Sequence, residues 1–268
     1  MSRPVTTEYK LLELDRSGAT TTVWLNRPEK FNALSVELMT EIEQVARSFL
    51  VDEVTRVVVF RGHGKHFSAG ADLKPDGAPT PVTMVMRRRE ATLGARMIRA
   101  ILEINQVTIA GIQGAALGGA ACIATACDFR IGSDDSFCGY PEVNLGMNLM
   151  WQALPLCVHL IGPARAKRMI MLGANEDAAK LYNWGFFDEV VALDVLDDAV
   201  KRMADLYADQ PPIAVQMIKQ SINAVSSALD ASIMHMDTDQ NLLTGTTEDL
   251  REGMAAFREK RDPLFKGN

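Results

Sequence analysis

The sequence predicts a layered α/β fold with a mostly parallel sheet, followed by a helical C-terminal region. Three observations lead there. Strand-like apolar runs alternate with segments of helical period, and repeated strand–helix–strand cycles build parallel sheets through right-handed crossovers. Val57-Val58-Val59-Phe60 is a continuous apolar run, the mark of a strand covered on both faces. From about Leu193 onward strand signals vanish and only helical periodicity remains. The expected organisation is an α/β core over residues 1–193 and a helical region over residues 194–268, with no Ser/Gly-rich linker between them.

Each element has a local reason. Alternating runs over roughly Glu8–Leu14 and Thr20–Leu25, separated by Ser17-Gly18, predict a strand pair. Ser35 caps a helix whose apolar residues Met39, Ile42, Val45, Ala46 and Phe49 recur at helical spacing, with Glu37 near the positive end of its dipole. After the Val57–Phe60 strand comes a Gly- and Pro-containing loop from Gly62 to Pro81, then an amphipathic helix over roughly Val82–Ile104. The cycle repeats with a strand at Val107–Ile112, a Gly-rich turn, a helix at Gly119–Ala126, a strand at Phe129–Gly132 and a short strand around Phe137. Further on, helices fit Asp194–Asp209, Pro212–Ala228, Asp230–Leu243 and Thr247–Lys260. Pro211-Pro212 suits the first turn of the second of these.

Composition narrows the class. The 268 residues are 47% hydrophobic and 23% charged, which is the balance of a globular domain. No segment approaches the roughly 20 apolar residues that cross a bilayer, and the start, MSRPVTTEYK, lacks the apolar core of a signal peptide. The net charge of −6 is spread without a basic run longer than Arg87–Arg89, so no phosphate-neutralising stripe for nucleic acid is present. Cys122, Cys127, Cys138 and Cys157 form no CxxC pair and do not cluster with histidine. That predicts a reduced, cytoplasmic protein without a metal site.

Three segments have room for chemistry. His66-Phe67-Ser68-Ala69-Gly70-Ala71-Asp72-Leu73 follows a buried strand, and its small side chains let a ligand reach the backbone; a plain tight turn is the competing reading. Gln113–Cys122 follows another strand and opens a helix, whose free N–H groups form a partly positive site for an oxygen. Its glycines at 114, 118 and 119 do not match the dinucleotide GxGxxG, and close helix–strand packing would also explain them. In Tyr140–Gly146, Glu142 is a carboxylate flanked by apolar residues. In a dry pocket it would be a base near neutral pH; on a surface it would be merely solvated.

In order along the chain, Leu25–Leu34 (LNRPEKFNAL), Phe67–Leu73, Gly114–Asp128, Pro141-Glu142 and Glu252–Arg261 (EGMAAFREKR) resemble the enoyl-CoA hydratase/isomerase (crotonase) superfamily. The resemblance implies a spiral of repeated β-β-α turns with a helical trimerisation region, assembled as a homotrimer or a dimer of trimers. It implies an acyl-CoA thioester substrate, with coenzyme A as part of that substrate and no other cofactor. The thioester carbonyl would be held by the backbone N–H groups of Ala71 and Gly119. A preplaced donor at a developing oxyanion is worth roughly 3–4 kcal/mol. Lys30, Phe31, Ser68, Ala69, Asp72 and Leu73 would line the CoA channel, with Phe257 and Lys260 contacting pantetheine and phosphates.

The carboxylates choose the reaction. Hydratases of the family typically use two glutamates. Glu142 matches the second position, while Cys122 stands at the first, and a mostly protonated thiol is a poor activator of water. A single glutamate suffices to move a proton from C2 to C4, so isomerisation of a 3-enoyl-CoA to the 2-enoyl thioester is the leading expectation. Hydration, or hydroxycinnamoyl-CoA hydration with lysis, is the alternative within the family, and a non-catalytic acyl-CoA-binding protein is the alternative of another class. Cys122, Met150 and Trp151 would line the substrate pocket, and the stretch Met147–Trp151 departs from the family's Pro- and Gly-rich turn. His63 and His66 are read as solvated or touching a CoA phosphate, Asp72 as stabilising its own turn, and Met84, Met86, Met97 and Met150 as core or acyl pocket. Lys74–Pro81 is read as a lid edge. Ile213, Val215, Met217, Ile218, Ile222 and Val225 lie on more than one helix face, as an assembly surface requires.

Overall fold

The computed structural model describes residues 8–73 and 82–268; the expected lid edge Lys74–Pro81 lies outside them. Strand β1 (Leu12–Ser17) turns back on β2 (Thr20–Leu25) through Gly18, whose φ of +61° suits glycine. β1 begins later than the alternation from Glu8 suggests. The N–H groups of Lys10 and Leu11 each donate to the Glu41 carboxylate at 2.9 Å instead of to a neighbouring strand.

The chain continues through β3 (Val57–Gly62), β4 (Val107–Ile112), β5 (Ala115–Leu117), β6 (Phe129–Ser133), β7 (Phe137–Gly139), β8 (Glu176–Asp177) and β9 (Glu189–Val191). The main sheet has the order β1-β2-β3-β4-β6-β9 and is parallel from β2 onward. A small sheet, β5-β7-β8, stands beside it. Both β3 and β4 are buried along their whole length, as their unbroken apolar runs require.

Helices cover both faces. Ser35 caps α1 (Val36–Ser48) by accepting from the N–H of Leu38, and Leu38, Ile42, Val45 and Ala46 are buried. The expected Val82–Ile104 helix is parted at Thr92 into α2 (Met84–Ala91) and α3 (Leu93–Leu102). The Thr92 hydroxyl donates to the Arg89 carbonyl, competing with the helical ladder. Only α3 buries an apolar face, and Met84 and Met86 of α2 are exposed, so neither is core; Met97 of α3 is. α4 (Gly119–Ala126) is wholly buried. α5 (Ala153–Met171) bends at Gly162-Pro163, and α6 (Ala178–Trp184) follows.

In the C-terminal region, α7 (Leu196–Ala208) lays Leu196, Ala199, Val200 and Ala204 on Val57, Val59, Val107, Ile109 and Ile131, closing the second face of the sheet. α8 (Pro212–Ser226) leaves Ile213, Met217, Ile218, Ile222 and Val225 exposed. The expected Asp230–Leu243 helix is interrupted at His235-Met236, giving α9 (Ala231–Met234) and α10 (Asp237–Thr244). α11 (Glu248–Glu259) packs on the turn Pro141–Leu145, with Gly253 against the Leu145 backbone and Gly146 against Asp249. Among the described residues no helix is long and apolar enough to cross a membrane.

Candidate active site

The loop from Phe67 to Leu73 is threaded between two neighbours. On one side Leu34 N–H donates to Gly70 O and Asp72 N–H to Leu34 O, which turns Ala71's own N–H the other way. On the opposite side Ser68 N–H donates to Ala115 O, and Leu117 N–H to Ser68 O. Gly70 has a φ of +88°, and a Cβ there would strike the Leu117 carbonyl and lie 3.6 Å from Gly119 N. The loop is thereby pressed against the start of α4. There Gly118, at φ +53°, caps the helix, and the first intrahelical bond runs from Cys122 N–H to Gly118 O. The N–H of Gly119 has no intrahelical acceptor at that position. Ala71 thus follows a glycine that lies against the start of α4, where the Gly119 N–H begins the helix.

Buried polar side chains fix this loop. Asn32 accepts from Arg27 N–H and donates to the carbonyls of His63, His66 and Phe67. Arg27 bridges Ala33 O at 3.0 Å and the Asp72 carboxylate at 2.7 Å. Neither Asn32 nor Arg27 stands out as a site residue in the sequence, although both lie inside the LNRPEKFNAL motif. Ser68 corrects one expectation: its hydroxyl donates to Asn32 O and accepts from Gly70 N–H, and its backbone groups pair with β5, so it shapes the loop and offers nothing to a ligand.

Glu142 sits in the 3-10 turn Pro141–Leu145 that follows β7. A Cβ on Gly118 would lie 2.8 Å from its Oε1, and its Oε2 is buried without a hydrogen-bond partner. Removing a carboxylate from water disfavours its charge, and burial lifts the Glu142 carboxyl from 4.5 to about 7, offset in part by its own backbone N–H. Cys122 is buried one turn into α4. Desolvation first, then the charges of Glu142 and other buried acids, hold its thiol far above the ordinary range. The pair is thus one carboxyl that titrates near neutrality and one thiol that stays protonated.

Trp151 is wedged between α3 and α4. A Cβ at either Gly94 or Gly119 would collide with its indole, which is 7% exposed. Trp151 and Gln152 have φ of +67° and +62°, a conformation that costs an L-residue roughly 1–2 kcal/mol each. Gln152 N–H donates to the buried Asp237 carboxylate of α10 at 2.5 Å, which holds the turn. Desolvation raises the Asp237 carboxyl above its ordinary value. Met150 is half-buried against the core. A cavity of about 520 Å3 lies past Gln152, among Leu102, Leu156, His159 and Met234, away from Glu142.

The remaining predicted contacts spread over the surface. Lys30, Ala69 and Ala71 are exposed, Asp72 and Leu73 half-buried. Phe31 is 55% exposed and meets His66 edge-on at 5.4 Å. His66 Nδ1 accepts from Ala115 N–H, which places the ring proton on Nε2; burial, then Lys65, lower its pKa. His63 is not free in solvent: it stacks on Trp24 and pairs with Glu13. His159 pairs with Asp230. Phe257 and Lys260 are exposed on and just after α11, and among the described residues neither is joined by a hydrogen bond, ion pair or ring contact to Lys30 or Phe31. Among the described residues no cluster of potential metal ligands occurs.

The chain is similar to known proteins in sequence and in fold. Residues 15–268 match the family model described as enoyl-CoA hydratase/isomerase. A crotonyl-CoA hydratase of Syntrophomonas wolfei is 30% identical over 260 residues, covering 96% of this chain and 98% of its own length. A 1,2-epoxyphenylacetyl-CoA isomerase of Escherichia coli is 28% identical over 265 residues, covering 97% of this chain and 99% of its own. The crystal structure of an enoyl-CoA hydratase from Mycobacterium avium subsp. paratuberculosis K-10 superposes with a TM-score of 0.87 at 25% identity, over 97% of this chain and all of that one. The chain has the crotonase fold and belongs to the enoyl-CoA hydratase/isomerase family of enzymes.

Proposed function

We propose that this enzyme shifts a proton within an enoyl-CoA thioester, converting a 3-enoyl to the conjugated 2-enoyl isomer, with Glu142 as the only proton carrier. The observation that carries the reading is the Glu142 carboxyl: buried, with Oε2 unpartnered, raised to about 7, and beside a neutral Cys122 in place of a second acid. As carboxylate it takes the C2 proton. The C2–H electron pair moves into the C1–C2 bond, and charge collects on the thioester oxygen between the N–H groups of Ala71 and Gly119. The resulting acid returns the proton to C4, the C3–C4 double bond becomes C2–C3, and the carboxylate is restored. One base suffices because the same oxygen-bearing plane presents C2 and C4 to the same face.

Hydration is the second reading, favoured by the relative named crotonyl-CoA hydratase. It requires a further group to activate water, a task for which a protonated thiol is unsuited. The free thiols suit a reducing, cytoplasmic setting, and the exposed apolar residues of α8 suit assembly into trimers. The test is a pair of assays on purified protein: absorbance of the conjugated thioester formed from 3-hexenoyl-CoA, and hydration of crotonyl-CoA. Formation of the conjugated product with loss on Glu142→Gln is expected. Efficient hydration with 3-enoyl-CoA left untouched overturns the reading.

A further inference from the structure

Two glycines on different helices, Gly94 of α3 and Gly119 of α4, are each pressed so closely by one indole that neither tolerates a Cβ. The indole belongs to Trp151, whose backbone is left-handed together with that of Gln152, and no glycine or asparagine stands there to relieve it. What holds the pair is a carboxylate distant in sequence, Asp237, which accepts from Gln152 N–H and from the Thr238 hydroxyl. α10 is anchored in turn to α2 by the two-point pairing of Asp239 with Arg88, at 2.6 and 2.9 Å.

We infer that Trp151 is the specificity-determining residue that limits the acyl group to a short one, and that Asp237 is the positioning residue that seats it. The inference rests on the proposed thioester site. With the carbonyl oxygen between Ala71 and Gly119 and the reacting carbons facing Glu142 at Gly118, the acyl tail leaves past Gly119 into the gap between α3 and α4. The indole fills that gap. A tail of a few carbons ends at its face, whereas a long chain needs Trp151 to leave its shelf. Such a departure would break the Gln152–Asp237 bond, so side-chain position and latch move together.

The experiment measures equilibrium binding of saturated acyl-CoAs of increasing length, from butyryl to dodecanoyl, so no particular reaction is assumed. Wild type is expected to bind the short members at least about tenfold tighter than the long ones. Trp151→Ala should erase or invert that ratio. Asp237→Leu, which removes the acceptor, should shift the profile in the same direction and change the part of the tryptophan emission that Trp151→Ala removes, while Asp237→Asn, which keeps a carbonyl acceptor, should restore the wild-type profile. If Asp237→Leu does not fold, Trp151→Ala and Asp237→Asn still decide. An unchanged length profile in Trp151→Ala, or a wild type without length preference, overturns the inference and leaves the thioester site standing. An Asp237→Asn profile that follows Trp151→Ala overturns the latch. A wild type that binds no acyl-CoA brings down the functional reading itself.

Discussion

Replacing Glu142 with glutamine should abolish proton transfer and make the protein's stability fall less as pH rises. The carboxyl titrates at about 7 in the folded chain and near 4.5 when exposed. The folded state therefore holds the proton more tightly, and the stability this lends is lost as pH rises from about 4.5 through 7. At 1.36 kcal/mol per pH unit the full loss is about 3 kcal/mol. Roughly 0.8 kcal/mol has gone by pH 5, so ~2.5 kcal/mol remains to be lost by pH 8.5. Glutamine carries no charge and escapes that loss, although its amide brings a burial cost of about 1–3 kcal/mol that is the same at every pH. The clean quantity is thus the change in the stability difference between the two proteins from pH 5 to pH 8.5. Urea unfolding of both, at one fixed protein concentration because the exposed apolar face of α8 could self-associate, reads it directly. A difference flat across that range refutes the dry pocket, and with it the base.

Three further outcomes follow from the same geometry. In wild type, kcat/KM for the proton shift should rise with pH and level off above about 7, where Glu142 is ionised; a flat profile from pH 5 to 9 would assign the proton to another group. Gly118→Ala should lower kcat/KM by roughly tenfold or more, about 1.4 kcal/mol, with circular dichroism unchanged, because the new methyl meets Glu142 Oε1 at 2.8 Å and the backbone has φ of +53°. Cys122→Ala should keep isomerase activity within about threefold while costing about 1 kcal/mol in thermal unfolding; a hundredfold loss would give the thiol a role its protonated state does not support.

What the sequence makes legible is local. Ser35 as a cap, the buried β3 and β4 runs and the Gly119–Ala126 helix follow from neighbours a few residues apart. The glycine pairs and Glu142 are legible as a motif, though their proximity is made by β5 and β7, strands of three residues that alternation cannot announce. His159 falls on a helix as its surroundings predict, whereas the bend of α5 at Gly162-Pro163 comes from the φ of +77° at Gly162. The Thr92 break and the exposed α2 are invisible for a different reason: Val82, Met84, Val85 and Met86 look like a buried face, yet all four are exposed among the described residues. Asn32 and Asp237 act on backbone groups, and Arg27 on the Asp72 carboxylate, all far along the chain, and Gly94 is the seat of an indole contributed from residue 151.

The seating of α11 on the Glu142 turn has a consequence for how the enzyme comes into being. Gly253 lies against Leu145, and Asp249 supports both Gly146 and the N–H groups of Lys266 and Gly267. A ribosome translating this message makes Glu142 some hundred residues before it makes the helix behind it. Until that helix emerges the Glu142 turn lacks the wall it leans on, so its final setting arrives late and all at once.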